Sequence, residues 1–222
     1  MHYFTVKDNR LWAEEVLVED IVKEYGTPIY IYSSRTFKRH FHAFDSAFYS
    51  IPHIICFSVK CNSNINILKT LKEEGAGADI VSGGELYRAL RAEIAPDKIV
   101  FSGVGKQEHE IQEALFADIL MFNVESMDEL MKINEIALSL NKKARISFRI
   151  NPDVDPKTHP YISTGLRENK FGIDISDAIY AYKTAKELKG VEPIGIDCHI
   201  GSQLTEISPF FRGTGKIKDA LH

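Results

Sequence analysis

The sequence predicts an α/β protein with a parallel sheet, because short apolar strands alternate with amphipathic helices along most of the chain. From residue 54 onward, six strands alternate with helices. The first five recur at short intervals, which suits direct βα crossovers, and the sixth follows a long connection. No GxGxxG turn follows the first of these strands, so the fingerprint of a dinucleotide-binding Rossmann sheet is missing. A doubly wound sheet and an incomplete TIM barrel both remain compatible with this pattern.

The composition is that of an ordinary globular protein. The chain has 222 residues, of which 44% are hydrophobic, and a net charge of −4. The slight acidity argues against nucleic acid or an anionic membrane as a partner, since both attract a basic face. No apolar run approaches the roughly 20 residues of a membrane span. The three cysteines and eight histidines show neither a disulfide framework nor a metal-binding interval. We therefore expect a cytoplasmic protein without a metal.

The first 33 residues lie before the repeating units. Residues 1–26 are predicted to form a lead-in with one helix, Val18–Tyr25, which Gly26 terminates. Thr27–Tyr32 is aromatic and β-branched with its proline near the start, which is typical of a strand. A helix over Ser34–Phe48 should follow, because its phenylalanines recur at helical spacing.

The first repeating unit places a lysine at the end of an apolar run. Ile54–Val59 predicts a strand buried on both faces, and Lys60 follows it directly. Asn62 or Ser63 should cap the next helix, which Gly75 closes. The other predicted strands are Ala78–Val81, Ile99–Phe101, Ile119–Phe122, Arg145–Ile150 and Gly195–Ile200.

Two helices in this region carry a capping-box pattern. Ser82 with Glu85, and Ser126 with Glu129, have the spacing at which the serine and the glutamate satisfy each other's backbone groups. A last helix begins at Ser208, and the chain stops where a seventh strand is due. We therefore expect the sequence to be the N-terminal part of a larger protein.

Chemically active residues follow several of the predicted strands. The carboxyl ends of parallel strands meet at one edge of a sheet, so these residues should gather there. Gly/Ser turns also offer backbone N–H groups that bind phosphate. The predicted site is therefore suited to an anionic ligand. Its members are Lys60, Asp79, Ser82–Gly84, Ser102–Gly103, Asn123, Arg149–Asn151 and His199–Ser202.

Several of these motifs carry a family resemblance. The sequence between about Pro28 and Gln203 resembles the diaminopimelate decarboxylase family, whose members are pyridoxal-phosphate (PLP) enzymes of fold type III, the alanine-racemase-like TIM barrel. The HPYISTGL segment and the later HIGSQ segment point to this branch, whereas the lysine motif fits several members of the class. The matching motifs are FSVKCNSN, GADIVSGGEL, FSGVGK, FNVES, RINPDVDPKTHPYISTGLRENKFGI and CHIGSQ.

The resemblance implies roles for the strand-end residues. Lys60 would bind PLP as a Schiff base, and His199 would lie flat against the cofactor ring, so these two are the expected catalytic residues. Asp79 would orient Lys60 or tune its charge, and Arg149 would reach the cofactor region. Gly201–Ser202 would donate hydrogen bonds to the phosphate.

The resemblance also implies a domain plan. Residues 1–33 would form a segment whose strand joins a C-terminal β-domain, and residues 34–222 a partial PLP-binding barrel of about six βα units. His159–Ile173 could form a flap over the substrate.

The implied activity of the parent protein is decarboxylation of meso-2,6-diaminopimelate to L-lysine and CO₂. Its expected partners are a small amino-acid substrate and a second copy of the protein in a homodimer. The alternatives are an ornithine, arginine or carboxynorspermidine decarboxylase, a non-catalytic PLP-binding barrel, or a fragment that is inactive alone.

Overall fold

A computed structural model of the chain describes residues 2–152, 171–202 and 204–220. Most of the predicted flap, residues 159–173, lies outside these ranges. No helix within the described ranges is both long enough and apolar enough to cross a membrane.

The N-terminal segment is a small antiparallel sheet followed by a helix. Strands β1 (Phe4–Lys7), β2 (Arg10–Ala13) and β3 (Val16–Leu17) pair in chain order, and α1 (Val18–Tyr25) follows. The helix and its end at Gly26 were predicted correctly, but the sheet was missed. Its strands are short and mostly exposed, so they lack a strong alternating pattern. Asp8 and Asn9, both with positive φ, form the turn between β1 and β2. This Asp-Asn pair was the sequence feature that could have predicted a hairpin.

The predicted strand at Thr27–Tyr32 was wrong. The backbone from Thr27 to Ser33 contains neither helix nor strand, and Tyr30 is 88% exposed. Strand-forming residues stabilise a strand only when a neighbouring strand completes the hydrogen-bond ladder. Within the described residues, no strand pairs with this segment.

The main sheet is parallel and contains six strands, as predicted. The six strands are β4 (Cys56–Ser58), β5 (Gly77–Ile80), β6 (Ile99–Phe101), β7 (Met121–Val124), β8 (Ala144–Asn151) and β10 (Val191–Asp197). A two-residue strand, β9 (Ile173–Asp174), pairs with the end of β8.

Each of the six strands lies beside its predecessor, in the order β10-β8-β7-β6-β5-β4. A doubly wound sheet reverses direction at a switch point, and this order has none. The helices are α2 (Ser34–Asp45), α3 (Ile65–Glu73), α4 (Gly83–Arg91), α5 (Glu108–Ala117), α6 (Met127–Ser139), α7 (Ala178–Glu187) and α8 (Ser208–Ala220). Helices α2 to α6 contact one another in chain order, so these five form one layer on one face of the sheet.

The core lies between the sheet and this helical layer. Alternate strand residues such as Phe122, Ile146 and Phe148 are fully buried in the apolar cluster that includes Leu130 and Ile133 of α6. Because successive strand residues point to opposite faces, their neighbours point away from the helices. The polar residues of the site described below occupy that other face.

Several predicted boundaries need correction; for example, the strand predicted over Ile119–Phe122 is observed over Met121–Val124. Only Cys56–Ser58 of the Ile54–Val59 run is a strand, and it is half-buried because β4 lies at the edge of the sheet. The cap of α3 is Asn64, whose side chain accepts from the Asn66 N–H, so it is neither Asn62 nor Ser63. The sixth strand ends at Asp197, so His199 follows that strand.

The two capping boxes formed only in part. The Ser82 and Ser126 side chains accept hydrogen bonds from the N–H groups of Glu85 and Glu129, as predicted. The Glu85 carboxylate, however, accepts from the N–H of Val81. The Glu129 carboxylate instead forms an ion pair with Lys106, which lies in the loop after β6.

Candidate functional site

Lys60 lies in a 3₁₀ turn at the carboxyl end of β4. Val59 begins this turn and is fully buried, which anchors it to the core, while Lys60 itself is exposed. The prediction that Lys60 lies at a strand end is therefore correct, although the strand is an edge strand. An exposed amine at this position is available to a ligand.

A chain of hydrogen bonds runs across five adjacent strands beside Lys60. The Asp79 carboxylate accepts from the hydroxyls of Ser58 and Ser102, each at 2.6 Å. The Asn123 amide donates to the Ser102 hydroxyl at 2.9 Å, and the Ser147 hydroxyl donates to Asn123 Oδ1 at 2.7 Å. Both oxygens of Asp79 thus accept hydrogen bonds from serine hydroxyls. Among the residues that the structure describes, no ion pair within 4.0 Å joins Asp79 to Lys60.

Arg149 makes a buried ion pair. Its Nη1 donates to Glu125 Oε1 at 3.1 Å, and that oxygen also accepts from the Gly103 N–H. The side chain of Arg149 is 10% exposed and that of Glu125 is 2% exposed. Among the described residues, Arg149 Nε and Glu125 Oε2 are buried without a hydrogen-bond partner. A buried donor and a buried acceptor are therefore left to bind something else.

Lys106 connects the loop after β6 to the end of β7 through hydrogen bonds. Its ammonium donates to the backbone carbonyls of Gly103 and Asn123 and to Glu129 Oε1. Burial raises the pKa of Glu129, and the charge of Lys106 opposes that rise. Together these contacts fix the strand ends that carry Ser102 and Asn123.

His199 is half-buried beyond the end of β10. Burial lowers its pKa, the charges of Arg149 and then Lys60 lower it further, and the charge of Asp79 raises it. A neutral imidazole is therefore favoured at neutral pH. The charges of Arg149, Lys60 and Asp79 therefore reach the imidazole electrostatically. Two residues earlier, burial raises the pKa of Asp197 to about 6.

The Gly201–Ser202 turn lies next to His199. Gly201 has a φ of 136°, which favours glycine, and Ser202 is exposed. A cavity of about 150 Å³ adjoins this turn and is bounded on its other side by α8. Its lining residues are Cys198, His199, Ile200, Gly201, Phe210, Gly213 and Thr214.

The six residues expected to act on or bind the cofactor, Lys60, Asp79, Arg149, His199, Gly201 and Ser202, therefore lie near the carboxyl ends of parallel strands or follow those strands. Sequence reasoning missed Ser58, Lys106, Glu125, Ser147 and Asp197. Alternation along the strands was the available signal, because a polar residue that interrupts a buried strand points away from the helical core. Ser147, between Ile146 and Phe148, is the clearest case.

Comparisons with known proteins identify the family. Residues 34–222 match the family described as pyridoxal-dependent decarboxylase, pyridoxal binding domain. The diaminopimelate decarboxylase of Vibrio cholerae is 54% identical over 218 residues, which cover 98% of this chain and 52% of that protein. The chain thus spans about half the length of the curated relatives that it matches.

Solved structures agree with this match. The structure of diaminopimelate decarboxylase from M. jannaschii has a TM-score of 0.91 at 42% identity, over 98% of this chain and 52% of the other. The Helicobacter pylori enzyme, solved in complex with L-lysine, has a TM-score of 0.89 at 46% identity, over 92% of this chain and 52% of the other. The fold is therefore that of the fold type III decarboxylases, with about six βα units in this chain, as predicted.

Proposed function

The chain belongs to the pyridoxal-dependent decarboxylases, and we propose that the whole protein converts meso-2,6-diaminopimelate to L-lysine and CO₂. One observation carries the proposal: diaminopimelate decarboxylases from several bacteria are about half identical to this chain across nearly all of it. The relative from Helicobacter pylori was solved with L-lysine bound, which would be the product here.

The residues of the site fit pyridoxal phosphate. The cofactor offers an aldehyde for an amine, an aromatic ring, and a phosphate that accepts several hydrogen bonds. The described residues offer the exposed Lys60 amine, a His199 imidazole whose pKa is lowered, and the Gly201–Ser202 turn. Arg149 Nε and Glu125 Oε2 are a buried donor and acceptor in need of partners.

Lys60 would hold the cofactor through its amine, and His199 would orient it. When bound, pyridoxal phosphate supplies the conjugated ring that accepts the electron pair left by departing CO₂. An uncharged imidazole can lie flat on an aromatic ring without a desolvated charge, which explains the use of a histidine with a lowered pKa. The two residues are the proposed catalytic pair.

The remaining site residues would bind the phosphate group and adjust the charge around Lys60 and His199. Gly201 and Ser202 would donate N–H and O–H groups to the phosphate. Asp79 would act through its negative charge on Lys60 and His199, since hydroxyl donors occupy both of its oxygens. Arg149, fixed by Glu125, would present its Nε to an acceptor atom of the bound molecules.

The domain plan and the partners belong to the same proposal. Residues 34–222 would be a partial cofactor-binding barrel and residues 1–33 a segment that joins a further β-domain, and the start of the family match at residue 34 supports this division. The whole protein would act as a cytoplasmic homodimer on a small amino acid. Analytical ultracentrifugation of the whole protein tests the dimer, and a monomer would contradict it.

The test of the activity is a substrate panel on the whole protein. CO₂ release should be greatest with meso-diaminopimelate and low with ornithine, arginine or carboxynorspermidine. Lys60→Ala should abolish both CO₂ release and the visible absorbance of the bound cofactor. Lys69→Ala, which changes an exposed lysine on α3, is the matched control and should retain both.

Other results would support the alternatives. A preference for ornithine or arginine would favour a sibling decarboxylase, and the fold alone is shared with a viral arginine decarboxylase at 24% identity. Bound cofactor without CO₂ release from any diamino acid would indicate a non-catalytic barrel. Unchanged decarboxylation in Lys60→Ala would refute the proposed role of Lys60. Cofactor titration of the 222-residue chain tests whether this part is inactive alone.

A further inference from the structure

We propose that Phe171 is a positioning residue whose ring, together with Glu125, holds the Arg149 guanidinium in the orientation that the cofactor site needs. This inference rests on the proposed function, because Arg149 is expected to act in the cofactor region. Phe171 directly precedes Gly172 and β9, so it reaches Arg149 from a segment that carries none of the predicted cofactor residues.

Two different interactions hold the same guanidinium. Arg149 Cζ lies over the Phe171 ring, 5.2 Å from its centre, which is within the range of a cation–π contact. Arg149 Nη1 donates to Glu125 Oε1 at 3.1 Å. A guanidinium held by one hydrogen bond can swing about that bond, whereas the ring provides a second point of contact. Together they fix the direction of Nε, which is buried without a hydrogen-bond partner among the described residues.

The backbone at Phe171 is held against the strand that carries Arg149. Asn151 Nδ2 donates to the Phe171 carbonyl, and β9 pairs with the end of β8 directly afterwards. Gly172 has a φ of 81°, and a Cβ at this position would lie 2.7 Å from the backbone oxygen of Arg149. Only glycine permits so close an approach at this φ. The chain is thus near enough to β8 for the Phe171 ring to cover the Arg149 side chain.

Burial strengthens the aromatic contact. The side chain of Arg149 is 10% exposed and that of Glu125 is 2% exposed, so little water screens the charge. Cation–π contacts gain strength when the cation is desolvated, and a guanidinium is only weakly hydrated. The Arg149 charge also reaches the His199 imidazole, so displacement of the guanidinium would change the electric field at the residue that orients the cofactor.

The experiment is a titration of PLP into the cofactor-stripped whole protein, followed by visible absorbance. Phe171→Leu keeps an apolar side chain but lacks an aromatic face, so PLP binding should weaken by about fivefold. Phe171→Tyr keeps the aromatic face and should bind PLP within about twofold of the parent protein. Phe116→Leu is the matched control. Lys142 lies 5.4 Å from the centre of the Phe116 ring, but this ring is 64% exposed at the far end of α5, so PLP binding should not change.

A background without the guanidinium separates positioning from a packing defect. Glu125→Gln/Arg149→Met removes both charges together, so neither is left buried alone. If Phe171 acts through Arg149, the addition of Phe171→Leu to this background should not weaken PLP binding further.

Three results would overturn the proposal. They are an additional loss of PLP binding in that background, a Phe171→Leu protein that binds like the parent, and a Phe171→Tyr protein that binds as weakly as Phe171→Leu. Failure of the parent protein to bind PLP would contradict the proposed function itself, which is a distinguishable result.

Discussion

The ammonium of Lys106 lies 2.5 Å from the carboxylate of Glu129, in an ion pair whose lysine side chain is 1% exposed and whose glutamate is 11% exposed. The two residues lie on different βα units, and the lysine also binds two backbone carbonyls at strand ends. A buried lysine is tolerated when each of its hydrogens has an acceptor, and Lys106 meets this condition. The pair therefore links the loop after β6 to the first turn of α6.

Loss of the Lys106 charge should be strongly destabilising. Lys106→Met leaves the Glu129 carboxylate buried without a counter-charge and frees two buried carbonyls, so the free energy of unfolding should fall by about 3–5 kcal/mol. Lys132→Met is the control, because its pairs with Glu108 and Glu135 are exposed and should contribute less than about 1 kcal/mol. Urea unfolding at pH 7 measures both, and equal losses would contradict the prediction.

Glu14 should stabilise the protein at neutral pH but not in acid. Its carboxylate accepts from the Arg35 N–H and the Ser33 hydroxyl at the start of α2, and these bonds hold its pKa below the ordinary value of 4.5. A lowered folded pKa means that the stabilisation is complete above the unfolded value and is lost as pH falls through the folded value. Glu14→Ala should therefore cost about 1 kcal/mol at pH 7 and nothing at the lowest pH.

Denaturation of Glu14→Ala and Glu15→Ala at several pH values tests this difference. Glu15 reaches the same arginine, but its side chain is 68% exposed, so its removal should change stability by less than about 0.5 kcal/mol. A Glu14→Ala penalty that stays the same in acid would show that the carboxylate charge is not responsible.

Asp197 should have the opposite dependence on pH. Burial raises its pKa from 3.8 to about 6, against the lowering effect of the Arg149 charge. Its contribution to stability is therefore complete below about pH 4 and is lost as pH rises through about 6. In the cofactor-free whole protein, Asp197→Asn should raise the free energy of unfolding by about 1–3 kcal/mol at pH 7.5. Asp177→Asn, on an exposed turn, is the matched control, and a destabilised Asp197→Asn would refute the prediction.

Gly190 should not tolerate a side chain. A Cβ at this position would lie 2.5 Å from the backbone oxygen of Asn134 and 2.8 Å from its Oδ1, which accepts the Gly190 N–H. Gly190→Ala should therefore lower the free energy of unfolding by about 1–3 kcal/mol. Gly215 lies in α8 with open space around it, so Gly215→Ala should instead stabilise by up to about 1 kcal/mol. Thermal unfolding of both variants checks the difference in sign.

Local patterns predicted most of the elements because their causes are local. The helix over Val18–Tyr25 and the strand over Ile99–Phe101 have the predicted bounds, since both depend on periodicity and on neighbouring turn residues. The Thr27–Tyr32 strand failed although its composition is favourable. A strand requires a partner, and composition does not supply one.

The sequence by itself determined the alternation of strands and helices, the parallel sheet, and the presence of Lys60 and His199 at strand ends. The tertiary structure decided which polar atoms meet: Ser147 with Asn123 and Lys106 with Glu129, each pair more than 20 residues apart in the chain. Periodicity is set by adjacent residues, whereas these hydrogen bonds depend on the register between strands. Register is fixed only when the whole sheet packs against its helices.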